Sequence, residues 1–220
     1  MTIKLSKTSK MPGKSWSLPA WETCPGARNE DNSPVPACER CYALTGAYQW
    51  KEATELREHN LKDWKRSDWA ADMAAAINRQ RQPFFRWFDS GDCYTPELAK
   101  KIREVCKATP SVKHWIPSRS YKIPAIYLEL NKAGRLPNVV VRWSSDSTSA
   151  GRLSFGRNST ILQSKENFKP AKGYSLCRAG ERGGKCQSCR ACWSKKVKTV
   201  AYVAHGSAVN PAQFTKPLAV

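Results

Sequence analysis

Along residues 47 to 143 the spacing of apolar positions switches repeatedly between the period of a helix and that of a strand. Leu56, Leu61 and Trp64 form one apolar stripe, and Trp69, Met73 and Ile77 recur every four residues in a second. This spacing predicts two helices within 47–82, with Ser67 as a cap between them. "FFRWF" (84–88) reads as a strand. "TPELAKKIREVCKA" (95–108) reads as a helix, with Thr95 at the N-cap, Pro96 in the first helical position and Glu97 behind it. "VKHWIP" (112–117) is a second strand, "IPAIYLELNKAG" (123–134) a helix opened by Pro124 and closed by Gly134, and "NVVVRW" (138–143) a third strand. Strands separated by helices at this spacing predict parallel βα units.

The flanks carry weaker patterns. Residues 1–46 are rich in Pro, Gly, Ser and Lys and are expected to be mostly irregular, as an N-terminal segment. An α/β core is expected over 47–170, with a short strand and a loop somewhere in 151–176. A cysteine-rich region follows over 171–206, in which "KTVAYVAH" (198–205) alternates as a final strand, and 207–220 reads as an extended tail. The fold class is therefore α/β: a partial (β/α) barrel or an open parallel sheet of βα units, with cysteine-rich metal-binding loops in the N- and C-terminal regions.

Each predicted core strand is followed by polar residues: "DSGDC" (89–93), "SRSY" (118–121) and "SSDS" (144–147). The carboxyl ends of parallel strands are where α/β proteins bind ligands. Asp89, Ser90, Gly91, Asp92, Ser145 and Asp146 are therefore candidate cofactor-binding residues, with Ser118 and Arg119 beside them. The bland alternative is that Ser and Asp only supply turns and helix caps there.

Composition narrows the class. Hydrophobic residues make up 40% and charged residues 25% of the 220, a globular balance, and no apolar run approaches the roughly 20 residues of a membrane span. The N-terminus lacks the apolar stretch of a signal peptide, so a cytosolic location is expected. There thiols stay reduced, and clustered cysteines favour metal ligation over disulfides. Thirty-seven Lys and Arg against 18 Asp and Glu leave a net charge of +19, which suits a nucleic acid, a nucleotide or another polyanion as partner.

Seven of the nine cysteines fall in two sets. The distal set is Cys177, Cys186, Cys189 and Cys192. Its Cys-x2-Cys-x2-Cys run can wrap three corners of a cubane, which favours an iron–sulfur cluster over zinc. The proximal set, Cys24, Cys38 and Cys41, supplies three ligands and leaves one coordination position open, as chemistry at a metal requires. A distal cysteine completing one shared site is the alternative. Cys106 reads as a buried helix residue, Cys93 as a weak candidate at the strand-end loop, and the three histidines have no ligand spacing.

"SWSLPA", "TCPGA", "CERCYAL", "RWFDSGDCY", "SSDS" and "GGKCQSCRACW" with "VAYVAHG" together resemble an uncharacterised family of tailed-bacteriophage proteins over nearly the whole chain. That resemblance implies a phage-encoded protein in the cytoplasm of the infected bacterial host. A three-cysteine motif ending "CxxCYA" ahead of βα units also resembles the radical S-adenosylmethionine enzymes. Residue by residue, Cys24, Cys38 and Cys41 match that superfamily's [4Fe–4S] triad, Tyr42 its adjoining aromatic, and Asp89 to Asp92 the loop that meets the methionyl amino group. The distal four resemble an auxiliary cluster. The implied cofactors are one or two [4Fe–4S] clusters and S-adenosylmethionine, with zinc the alternative. The resemblance implies a radical S-adenosylmethionine-like enzyme acting on a nucleic acid or other anionic substrate. The alternative function is a non-enzymatic iron–sulfur or zinc protein that binds nucleic acid, through lysines such as Lys4, Lys7, Lys195 and Lys196, or binds a host protein.

Overall fold

The first parallel strand lies where the sequence pattern predicts none. In the computed structural model, which describes residues 2–149 and 151–219, the N-terminal segment contributes β1 (Ser6–Lys7) and β2 (Lys14–Trp16). Two or three residues are too few for an alternation to register. β2 pairs in parallel with β3 (Phe84–Trp87), and from there the expected elements follow. α1 (Lys51–Asp63) and α2 (Trp69–Arg79) precede β3, α3 (Pro96–Ala108) leads to β4 (Lys113–Ser118), and α4 (Pro124–Gly134) leads to β5 (Val139–Ser144). β6 (Asn158–Leu162), β7 (Tyr174–Leu176) and β8 (Thr199–Val203) complete an open eight-stranded sheet in the order β1-β2-β3-β4-β5-β6-β8-β7. Every pairing is parallel except that of β1 with β2.

Strand alternation divides the chemistry between two faces. Trp16, Phe85, Trp87, Ile116, Val139, Val141 and Trp143 pack with Trp69, Met73, Leu98, Ile102, Ile126 and Leu130 of the helices in one apolar core. Of the intervening residues, Trp115 of β4 and Arg142 of β5 meet the cysteine-rich segment instead, while Arg86 of β3 meets Met11 and Tyr42. Trp193 of that segment lies with its ring 5.5 Å from Phe84 and 5.3 Å from Trp115, and donates to the Phe85 carbonyl at 2.9 Å.

Local signals hold in part. Thr95 caps α3, its hydroxyl oxygen accepting from the Leu98 amide at 3.1 Å. Ser67 does not cap α2; Arg66 ties that corner by ion pairs to Asp63, Asp68 and Asp72 at 2.8, 2.7 and 2.7 Å. On α1, Leu56 and Leu61 are only half-buried, while Arg57, Asn60 and Asp63 are buried. That face turns toward a polar loop: Asn60 donates to the Ser17 carbonyl at 3.0 Å and Arg57 to the Tyr48 carbonyl. The tail also departs from expectation. It forms a turn at Pro211–Phe214 and returns, with Phe214 4.9 Å from Trp21 and the Ala219 amide on the Glu22 carbonyl at 2.7 Å.

His114 is fully buried on the helix-side face. The Trp87 indole N–H donates to its Nδ1 at 3.3 Å, and its Nε2 lies 2.9 Å from the Thr109 hydroxyl, which itself donates to the Val105 carbonyl at 2.7 Å. Only a neutral ring protonated on Nε2 satisfies this chain. Burial pushes the His114 pKa down to about 4 from 6.5. A lowered folded-state value means full stability above pH 6.5, lost as pH falls toward 4. The loss amounts to about 3 kcal/mol. Urea unfolding at stepped pH is expected to show this loss, and His114→Gln to remove that portion of the pH dependence.

Candidate functional site

The proximal cysteines ride on a loop with its own small core. Ala20, Trp21, Ala27, Val35, Cys38, Ala43 and Leu44 pack together, with Cys24, Cys41, Tyr42 and Tyr48 against them. Thirteen residues separate Cys24 from Cys38, yet the chain closes much of that gap itself. The Ala27 amide donates to the Cys24 carbonyl at 3.0 Å, the Val35 amide to the Ala27 carbonyl at 2.9 Å, and the Cys38 amide to the Val35 carbonyl at 2.7 Å. Residues 28–34 therefore leave and return as a side excursion, bridged between Arg28 and Pro34 and exposed over 29–32.

The strand ends clamp this loop. Leu18 donates to the Ser90 carbonyl at 3.0 Å, Asp92 to the Thr23 carbonyl at 3.1 Å, and Ala37 to the Asp146 carbonyl at 2.9 Å, all through backbone amides. Tyr42 donates its hydroxyl to the Asp89 carbonyl at 2.8 Å. Two glycines allow the approach. A Cβ on Gly26 would lie 2.1 Å from the Arg119 carbonyl oxygen, and one on Gly91, at φ +73°, would lie 2.5 Å from the Thr23 hydroxyl.

Much of the acidic chemistry at this edge is committed to holding the loop. Asp89 accepts from Ser15 at 2.8 Å, from Ser17, and from Tyr48 at 3.3 Å. Asp92 accepts from the Cys93 and Arg119 amides at 2.6 and 2.7 Å; burial nevertheless raises its pKa to about 6. Asp146 pairs with Lys122 at 2.7 Å and Arg119 at 3.5 Å. The Ser145 carbonyl accepts two bonds from Arg119, at 3.1 and 3.3 Å. Ser90 keeps a buried hydroxyl with no partner. Arg119 in turn donates to Cys38 Sγ at 3.0 Å. Burial pushes the Cys24 thiol well up, helped by the nearby Asp92 charge, and lifts Cys41; Cys38 is pushed up to about 11 against the pull of Arg119.

The distal cysteines approach the same space from the other side. Cys177 follows β7 and donates its amide to the Ala201 carbonyl at 2.8 Å; the Cys186 amide donates to the Lys10 carbonyl at 2.8 Å. Gly183 and Gly184, at φ +60° and +75°, turn the chain into the triple run. Cys192 Sγ lies 3.2 Å from the Tyr202 hydroxyl. Behind the run stands Arg142, fully buried and donating to the carbonyls of Ala191 at 2.8 Å, Cys192 at 3.0 Å, Ser194 at 3.0 Å and Val197 at 3.1 Å. Burial works against its charge, while Tyr202 and Cys192 beside it favour the ionised form.

One cavity of about 820 Å³, within the range of ligand sites, gathers both sets: Cys24, Cys38, Cys41, Cys177, Cys186 and Cys192 line it. Asp89, Ser90, Gly91, Asp92, Ser118, Arg119 and Ser145 line it too, whereas Asp146 and Cys189 are not part of the lining. Cys93 and Cys106 are fully buried in the apolar core. Among the described residues, no three His, Cys, Asp or Glu side chains are grouped to hold a single metal ion. The pattern reading missed Arg86, Trp115, Arg142 and Tyr202. A charged residue inside each of "FFRWF" and "NVVVRW" was the available signal, since an arginine within an apolar strand marks the face that is not core.

Residues 2–195 match the model of the family described as Gene product 88. No curated protein and no solved structure matches the chain.

Two substitutions probe this assembly. Gly26→Ala places a methyl against a backbone carbonyl, which cannot move aside as a side chain would. It is expected to lower unfolding free energy by about 3 kcal/mol in denaturant unfolding. Arg142→Met leaves at least four carbonyls without their donor and is expected to cost about 3 kcal/mol or more in denaturant unfolding, with Arg142→Lys intermediate.

Proposed function

We propose that this chain, which belongs to the Gene product 88 family, is an iron–sulfur protein with a radical S-adenosylmethionine-like activity on an anionic substrate. The observation that carries the reading is the cavity shared by three proximal and three distal cysteines at the carboxyl ends of parallel strands. β2, β3, β4, β5, β6 and β8 neighbour one another in chain order in the open sheet, an order that a partial (β/α) barrel would share and that supports the reading. Its first ligating loop follows the first parallel strand, and "DSGD" follows the second. The similarity to tailed-phage proteins goes with action in the host cytoplasm; no helix among the described residues is long and apolar enough to cross a membrane.

The donor set fits a cluster. Every candidate ligand is a thiol, the side chain that soft metals and iron–sulfur clusters select. Arg119 donates to Cys38, and the Tyr202 hydroxyl lies where it would donate to Cys192 once that sulfur is a thiolate; hydrogen bonds of this kind to the sulfurs tune a cluster's potential. Arg142 supplies a buried positive charge that thiolates bound to a metal would balance. With a reduced cluster at the proximal set, the chemistry supplied to S-adenosylmethionine is its one-electron reductive cleavage.

The chain's own residues do the rest. Cys24, Cys38 and Cys41 would hold the proximal cluster, and Cys177, Cys186, Cys189 and Cys192 the distal one. Asp89 and Tyr42 fix the proximal loop to the end of β3, and Arg119 fixes it to the ends of β4 and β5. Ser90 offers an unused hydroxyl at the cavity wall. Lys10, Arg40, Arg86 and Arg119 outnumber Glu39, Asp89 and Asp92 in the lining, which favours an anionic substrate.

Anaerobic purification with iron, sulfide and zinc counts tests the reading. Two clusters of about four irons each are expected, with Cys41→Ser removing one and Cys189→Ser the other. Adding S-adenosylmethionine to the reduced protein is expected to alter its paramagnetic resonance spectrum. A colourless protein with stoichiometric zinc overturns the proposal.

A further inference from the structure

Arg86 enters the cavity from the face of the sheet opposite the helices. Its guanidinium carbon sits 4.5 Å over the Trp115 ring, and the two residues are register partners on β3 and β4. The acceptors it has are neutral: the Tyr42 hydroxyl and the Phe88 carbonyl, each at 3.3 Å, and Met11 Sδ at 3.7 Å. Asp89, the acidic residue acting on it, has its carboxylate taken by Ser15, Ser17 and Tyr48. Arg86 thus carries a positive charge at the cavity wall with no carboxylate in an ion pair to it, its ionised form favoured by Tyr42 and Asp89 nearby and its Nε left free to meet a ligand.

A second observation lies beside it. Arg86 Nε and Trp115 Nε1 are both buried donors with no hydrogen-bond partner, and Trp115, only 6% exposed, lines the same cavity. Buried N–H groups are rarely left unpaired. Two such donors on stacked neighbours, one of them cationic, match a single oxyanion better than a neutral acceptor.

We propose that Arg86 and Trp115 form a seat for an oxyanion, a carboxylate or phosphate group of the substrate, in the cavity between the two cysteine sets. The assignment rests on reading that cavity as the reaction chamber. The anion accepts from Arg86 Nε and the Trp115 indole N–H, and its charge answers the guanidinium. Tyr42 and Tyr48, with ring centroids 5.2 Å apart, border the same space and supply apolar surface for the rest of the ligand.

Equilibrium dialysis of the anaerobically purified full chain against radiolabelled inorganic phosphate, and separately against acetate, tests the seat. One saturable site is expected for at least one of them, and which one binds distinguishes phosphate from carboxylate. Arg86→Met is expected to weaken binding about tenfold or more, and Trp115→Phe, which keeps a ring but removes the N–H, about fivefold. Arg86→Lys is expected to fall between wild type and Arg86→Met. Saturable binding of neither anion, or equal binding by wild type and Arg86→Met, overturns the proposal. If Arg86→Met does not fold, unchanged binding in both Trp115→Phe and Arg86→Lys overturns it. Metal counted in the same samples separates the two readings: a chain without iron overturns the enzymatic one, while the dialysis still decides the seat.

Discussion

An arginine cannot shed its proton to escape burial, and Arg142 is buried completely. The fold answers with backbone. Carbonyls from residues 191 to 197 converge on the guanidinium, so one side chain on β5 fixes the course of the segment that carries the last distal cysteine. Because that segment also places Trp193 against Phe84 and Trp115, the inner face of β3 and β4 is shaped by the same anchor. The carbonyls satisfy the guanidinium's donors but carry only partial charge. The positive charge left over lies beside Cys192 and Tyr202, and for that reason the distal loop and this arginine make one physical unit.

The two cysteine sets lie more than a hundred residues apart in the chain and reach one cavity in a sheet where β8 lies between β6 and β7. That placement brings Tyr202 beside Cys192, and β7 runs alongside to deliver Cys177. On the opposite side, short backbone bonds from the ends of β2, β3 and β5 fix the proximal loop. The acidic strand ends serve this clamp before they serve any ligand, so the polar atoms free to meet a small molecule are fewer than the sequence suggests.

The core of the fold was legible because its signals are local. Thr95 and Pro96 announce α3, and the apolar runs of "VKHWIP" and "NVVVRW" announce β4 and β5. Cysteine spacing singled out seven thiols, of which six line the cavity and Cys189 does not. β2 was invisible because three residues carry no period, and its place beside β3 is set by pairing. The polar inner face of α1 was misread for a related reason: Arg57 and Asn60 are buried by partners from distant loops, which no window along the chain contains. Arg86 and Arg142 belong to the same class, their roles decided by which side of the sheet the alternation sends them.

The excursion over residues 28–34 has a different kind of consequence. Its ends are joined by the bond from Val35 to Ala27, so the distance between Cys24 and Cys38 does not depend on how many residues the excursion contains. Loop-closure entropy grows only slowly with length, and an exposed tip of Asn, Glu and Asp residues tolerates insertion well. Chain length is therefore free to drift at this point while the sulfurs keep their places. The same independence makes the tip an attachment point for an affinity handle or a spectroscopic label.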